Sequence, residues 1–293
     1  MTEIGKVLLS AGIHGNEKTG IYLIKKFQKN SNLISRSSFI TETLLINHQA
    51  IALNRRYCEI DLNRCFNLKD LNNNDGQLYE QLLAQKTYYE IKDSAIDFVI
   101  DFHTSTSNMG LTLLLSNDNP FNLQLAAYLA STNSLVKIVR PDNSKDQNRF
   151  RSIFPLGFTV EIGAIAPNVI DPFWFKQAEE LTIEILNYIE KTNQQQQPAS
   201  PQSIAIYSLS ETVYFPTGDR EIIGMVHPQI HGSDYRALNP GEPMLIEFDG
   251  NLITYGGKNT VYPIFINEAA YWENKIAMYL TTKEEIVIPA VEN

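Results

Sequence analysis

Three side chains in this sequence combine donor types and positions that could hold a metal ion: His14, Glu17 and His103. His14 and Glu17 stand three residues apart in GIHGNEKTG, a glycine-flanked turn that follows the apolar run KVLLSA and precedes a helical stretch. In an open α/β sheet, ligands bind in the loops that leave the carboxyl ends of strands. One nitrogen and one oxygen donor on such a loop leave a zinc ion short of a ligand, and a neutral imidazole is the commonest addition. Of the five histidines, His103 closes a second apolar run, IDFVIDFH, and would lie at the same sheet edge. An H-x-x-E pair alone recurs by chance, and a histidine at a strand end is usually a hydrogen-bonded structural residue. Their common placement is what points to a metal, and a three-ligand zinc brings the pKa of a water in its open position to about 7.

The other histidines carry less. His227 and His231 form H-x-x-x-H, also a metal spacing, but they lie in a Pro/Gly-rich turn with no acidic or cysteine partner nearby and read as surface or structural residues. His48 sits just beyond a strand, as a loop residue or a neighbour of the site.

The elements that must position these residues alternate. Short apolar runs at 6–11, 40–47, 96–102, 111–116, 136–140 and 158–162 read as strands, and stretches at 18–29, 77–91, 119–132 and 171–191 read as amphipathic helices. The last helix is the clearest, with Asp171 to cap it, Pro172 at its first position, and Trp174, Ala178, Leu181, Ile185 and Tyr188 at helical spacing. This pattern predicts an α/β domain on a mainly parallel or mixed sheet over 1–193. The polar segment TNQQQQPASPQS reads as a linker, after which 204–293 changes to short β runs broken by Gly, Pro, Asp and Asn. A smaller all-β C-terminal domain is expected there, with at most one short helix near 267–279.

A chain of 293 residues with 43% hydrophobic and 19% charged side chains can bury a full core. Its net charge of −9 argues against nucleic acid or an anionic membrane as a partner, since both call for a broad basic surface. Cys58 and Cys65 are too few for a disulfide framework and are not spaced as Cys-x-x-Cys. The N-terminus is unlike a signal peptide, and no stretch approaches the roughly 18 apolar residues of a membrane span, so cytoplasmic residence is the expectation.

Five segments in order, GIHGNEKTG, NRRYCEIDLNRCF (54–66), DFHTSTSNMG (101–110), RSIFPLGFTVEIGA (151–164) and PIFINEAAYWE (263–273), resemble the aspartoacylase/succinylglutamate desuccinylase family of the zinc carboxypeptidase superfamily. The likeness runs through both expected domains and implies a zinc-carboxypeptidase-like fold for the first. It implies one zinc ion per chain on His14, Glu17 and His103, and a catalytic carboxylate at Glu161 that serves as general base and then acid. It places Arg56 where an arginine assists the metal in polarising the carbonyl. It matches Asn63 and Arg64 to the pair that binds a substrate carboxylate, Arg151 to the grip on a second carboxylate, and Tyr271 to a substrate-binding tyrosine. The activity implied is hydrolysis of the amide of a small anionic N-acyl amino acid, such as N-acetyl-L-aspartate. Oligomerisation with copies of itself is compatible with the resemblance and nothing more.

Guanidinium forks bind carboxylates bidentately, so an acidic chain that gathers Arg55, Arg56, Arg64 and Arg151 near these segments fits a doubly anionic ligand. Arg55 reads as exposed ion pairing, and Glu268 as a residue that holds its segment in place. Gln147 stands where the family has a tyrosine lining the pocket, which keeps N-acyl aromatic or S-conjugated amino acids and N-succinylglutamate open as substrates. A carboxypeptidase proper and a catalytically silent zinc-binding or sensing module are the remaining alternatives.

Overall fold

The computed structural model describes residues 3–73, 77–141 and 148–288. The first half is built from β1 (Lys6–Ala11), α1 (Lys18–Lys29), β2 (Ile40–Leu45), α2 (His48–Leu53), α3 (Leu68–Leu71), α4 (Tyr79–Lys92), β3 (Phe98–Thr104), β4 (Gly110–Leu115), α5 (Pro120–Thr132), β5 (Val136–Arg140), β6 (Leu156–Gly163) and α6 (Pro172–Asn193). Each expected strand and long helix of this half forms within about two residues of its predicted bounds. Helix α6 starts as its sequence dictates: the Asp171 side chain accepts from the Trp174 amide at 2.9 Å and Pro172 occupies the first turn. Helix α2 was not expected. Asn47 caps it by accepting from the Ala50 amide, and Asn54 ends it in a left-handed conformation.

Strands β2, β1, β3 and β6 run parallel, β4 pairs antiparallel with β6, and β5 follows β4 in parallel. This is a mixed sheet, and its strands alternate faces. Phe98, Ile100 and Phe102 of β3 and Leu156, Phe158, Val160 and Ile162 of β6 enter the main core with residues of α1, α5 and α6. Asp101, His103 and Glu161, one residue out of phase, must therefore face the other side.

The C-terminal segment is all β apart from one 3-10 turn: β7 (Ser203–Tyr214), β8 (Thr217–Gly218), β9 (Glu221–Ile222), β10 (Gly224–Val226), β11 (Pro243–Glu247), β12 (Leu252–Thr254), β13 (Tyr262–Ile264) and β14 (Ile276–Val287). It is not wholly separate from the sheet. Strand β7 pairs in parallel with β5 through Val139↔Tyr207 and Arg140↔Ser208, giving one nine-stranded sheet ordered β13-β14-β7-β5-β4-β6-β3-β1-β2. The three-stranded sheet β10-β11-β12 contributes to a core of its own, including Val226, Leu245 and Met278. The helix expected near 267–279 is confined to a 3-10 turn, Ala269–Asn274, because Lys275 takes φ 56° and the following run IAMYLTT is drawn into β14.

Candidate metal centre and substrate cleft

The loop bearing His14 and Glu17 leaves β1 through Gly12, whose φ of +78° favours glycine, and Gly15, where a Cβ would meet the Ala50 backbone at 2.0 Å. That close approach seats the loop on α2. His14, Glu17 and His103 are all buried, and one ligand atom from each lies within 4.8 Å of the others. The Glu17 carboxylate spans the two rings, 2.6 Å from His14 Nδ1 and 2.9 Å from His103 Nδ1. The two Nδ1 atoms are 3.1 Å apart.

Both imidazoles are held from behind. His14 Nε2 lies 3.0 Å from Asp61 Oδ1, and His103 Nε2 lies 2.9 Å from Asp101 Oδ2, itself steadied by the Ser10 hydroxyl at 2.8 Å. A neutral ring that donates from Nε2 to a carboxylate presents the Nδ1 lone pair forward, which suits a metal ligand. Sequence reasoning missed both carboxylates. Asp101 had a signal, since it stands two residues before His103 and so shares its face of β3.

Asp61 joins most of the neighbouring segment to this centre. Besides His14, it takes a hydrogen bond from Arg56 Nη2 at 3.1 Å and one from the Asn63 amide at 2.9 Å. Arg56 Nη1 donates to Glu17 at 3.2 Å. Burial pushes the Asp61 and Glu17 carboxyls up, but the charges facing them outweigh it and hold both well below the usual carboxylate range. For Asp61 those are His14, Arg56 and Arg64; for Glu17 they are His14 and His103. Burial alone would lower the His103 pKa, yet Glu17 and Asp101 raise it well above that of free imidazole.

Glu161 is the register partner of His103 on the adjacent parallel strand. Burial, the largest influence on it, pushes its pKa up to about 7. With Asn63, Arg151 and Tyr271 it lines a cavity of about 320 Å³ whose apolar wall includes Leu209, Phe265 and Tyr279. The Asn63 side-chain oxygen Oδ1 accepts from the Phe150 amide at 3.0 Å, fixing the 3-10 turn that carries the buried Arg151. Arg64 lies in the small cavity at the ligands and reaches Asp61 at 3.9 Å. Tyr271 stands on the 3-10 turn of the C-terminal segment, which Glu268 fastens to the loop after β3. Glu268 accepts from the Ser105 hydroxyl, the Thr106 amide at 2.7 Å and the Ser107 amide at 3.2 Å, while its other oxygen takes the Ala270 amide at 3.0 Å.

The structure thus brings together each sequence-predicted site residue: His14, Glu17, His103, Arg56, Asn63, Arg64, Arg151, Glu161 and Tyr271. Arg55 is exposed, His48 is exposed at the start of α2, and His227 and His231 belong to no three-ligand group among the described residues. Gln147 lies outside the described residues. Cys58 and Cys65 are free thiols, and no described helix is long and apolar enough to cross a membrane.

A buried two-histidine, one-carboxylate cluster at the end of a mixed sheet, with a high-pKa carboxyl and an arginine beside it, is the layout of a metallohydrolase. The model of the succinylglutamate desuccinylase/aspartoacylase catalytic domain matches residues 3–189, and that of the AstE/AspA barrel-sandwich hybrid domain matches 202–283. The chain belongs to this family. It is 44% identical over 291 residues to a Trichodesmium erythraeum protein named "Probable aspartoacylase", covering 98% of this chain and 99% of that one. It is 33% identical to the rat "N-acyl-aromatic-L-amino acid amidohydrolase (carboxylate-forming)", covering 98% of this chain and 93% of that one. The crystal structure of murine aminoacylase 3 superposes with a TM-score of 0.92 at 31% identity, covering 100% of both chains.

Proposed function

We propose that the chain is a zinc-dependent amidohydrolase that cleaves N-acyl-L-aspartate, with N-acetyl-L-aspartate giving acetate and L-aspartate. The observation that carries this reading is the continuity of the metal cluster with the cavity that holds Glu161, Asn63 and Arg151. Two imidazoles with carboxylates behind them and one carboxylate form a donor set that fits zinc, one ion per chain. When bound, zinc supplies Lewis acidity and makes water acidic enough to be deprotonated near neutral pH.

The chain's own residues account for the rest. Glu161 accepts a proton from the attacking water and later passes it to the leaving nitrogen, a role that a carboxyl with a pKa of about 7 is suited to. Arg56 donates to the developing oxyanion. Asn63 and Arg64 take the α-carboxylate, Arg151 takes the side-chain carboxylate, and Tyr271 closes the cavity over the substrate. The assignment of 1–193 as the catalytic unit and 204–293 as the unit that narrows the cleft is part of this reading. So is cytoplasmic residence, with which two free thiols agree.

A second reading has its own support: Phe265, Tyr271, Tyr279 and Leu209 make much of the cavity wall aromatic or apolar, as an N-acyl aromatic amino acid would require. A panel of N-acetyl amino acids with the zinc-loaded protein separates the two. A kcat/KM for the aspartate derivative about tenfold or more above that for the tyrosine and phenylalanine derivatives supports the first reading. The reverse order supports the second.

A further inference from the structure

Three cavities meet at the cleft. The small one at the metal ligands, about 30 Å³, shares Asn63, Glu161 and Tyr271 with the 320 Å³ cavity that holds Arg151. It also shares Glu17, Arg56, Thr104 and Ala270 with a third cavity of about 430 Å³. The two large cavities have no lining residue in common. The centre therefore has two exits, and the groups assigned to the amine half of the substrate stand on one side. An amide carbon under attack carries two substituents that point apart. With its nitrogen turned to Glu161, its acyl chain has the other direction left, past Thr104 and Ala270.

We propose that the third cavity is an acyl subsite and that the chain hydrolyses N-acyl amino acids whose neutral, unbranched acyl group is several carbons longer than acetyl. The proposal rests on the amidohydrolase reading above. A methyl group is about as large as a water molecule, whose share of liquid volume is about 30 Å³, so acetyl would leave most of this cavity unfilled. Ile165, Pro167, Ala269 and Ala270 give it apolar wall. Its acidic groups are engaged: Glu268 by the loop after β3, Glu273 by the Tyr57 hydroxyl at 2.5 Å, and Glu17 by Arg56 and the two imidazoles. Against Arg55 and Arg56 in the same lining, the three carboxylates leave a small negative excess, which favours a neutral chain over an anionic tail. The reaction is the same hydrolysis: water oxygen bonds to the acyl carbon, the C–N bond breaks, and the nitrogen leaves with the proton from Glu161 as fatty carboxylate and free amino acid form.

The test compares kcat/KM of the zinc-loaded full chain on N-acetyl-, N-butanoyl-, N-hexanoyl- and N-succinyl-L-aspartate, in the wild type and in Ala269→Trp, which fills the third cavity. Hexanoyl should lie within about tenfold of acetyl or above it, succinyl should lie below hexanoyl, and the substitution should lower the hexanoyl-to-acetyl ratio by about tenfold or more. A wild-type hexanoyl value further below acetyl, a succinyl value above hexanoyl, or a smaller change in the ratio overturns the subsite. Calorimetric binding to the inactive Glu161→Gln protein asks the same without turnover: hexanoyl must bind at least as tightly as acetyl, and weaker binding overturns the proposal. Hydrolysis of acetyl but not hexanoyl substrates sinks this inference alone. Hydrolysis of no N-acyl amino acid, aromatic ones included, removes the amidohydrolase reading and this one with it.

Discussion

His103 and Glu161 are direct register partners on β3 and β6, so the sheet itself, and no mobile loop, sets the distance between an imidazole of the metal cluster and the high-pKa carboxyl. Side chains paired this way share a face of the sheet. Glu161 and His103 are thereby placed by backbone hydrogen bonds, which a side-chain substitution leaves in place.

Glu161→Gln is therefore expected to lower kcat by about a thousandfold while zinc still binds one per chain. Steady-state rates and metal analysis of the same sample check this. Full activity in the variant would remove Glu161 from the chemistry.

The pH profile follows from the same residue. Burial pushes Glu161 up to about 7, so below that pH it keeps its proton and cannot accept another. Activity is present above this limb and lost as the pH falls through it. A cation at the ligands favours the carboxylate, so the limb of the loaded protein lies at or below about 7. The readout is kcat/KM against pH, and a profile that rises towards acid contradicts the assignment.

Asp101→Asn keeps the shape of the side chain behind His103 but removes its charge. Metal affinity should fall about 10- to 100-fold, measured by competition with a chelator. An unchanged affinity would mean that the Asp101–His103 contact does not tune the ligand.

Arg151→Lys replaces a planar fork with a point charge. KM for N-acetyl-L-aspartate should rise about tenfold or more, and KM for a neutral N-acetyl amino acid much less. Equal changes for both would place Arg151 outside the side-chain carboxylate site.

Glu268→Ala leaves the buried donors of Ser105 and Ser107 and the half-buried Thr106 amide without their acceptor. A loss of about 3 kcal/mol in stability is expected, read from urea unfolding. A variant as stable as the parent would show that the turn carrying Tyr271 is fastened by other contacts.

Much of this architecture was legible in order along the chain. Strands β1, β3 and β6 and helices α1 and α6 announce themselves by period, and H-x-x-E with the later histidine marks the centre. What escaped was short or distant. Helix α2 spans six residues and buries only Ala50, too little for a periodic signal. The start of β14 follows AAYWEN closely enough to read as helix, until Lys275 breaks the turn. Asp61 reads locally as a cap for the 3-10 turn that follows, and it is one, but its contact with His14 spans 47 positions and has no trace in spacing. The roles of Asn63, Arg64 and Arg151 came from family resemblance; no residue pattern in a single sequence says which carboxylate an arginine will meet.

The seam between β5 and β7 has a mechanical meaning. It stitches the segment bearing Tyr271 to the strands bearing the histidines, and Glu268 adds a second stitch across the cleft. A jaw that swung open as one piece would have to tear both. Entry to the cleft is set instead by standing apertures and the side chains that frame them.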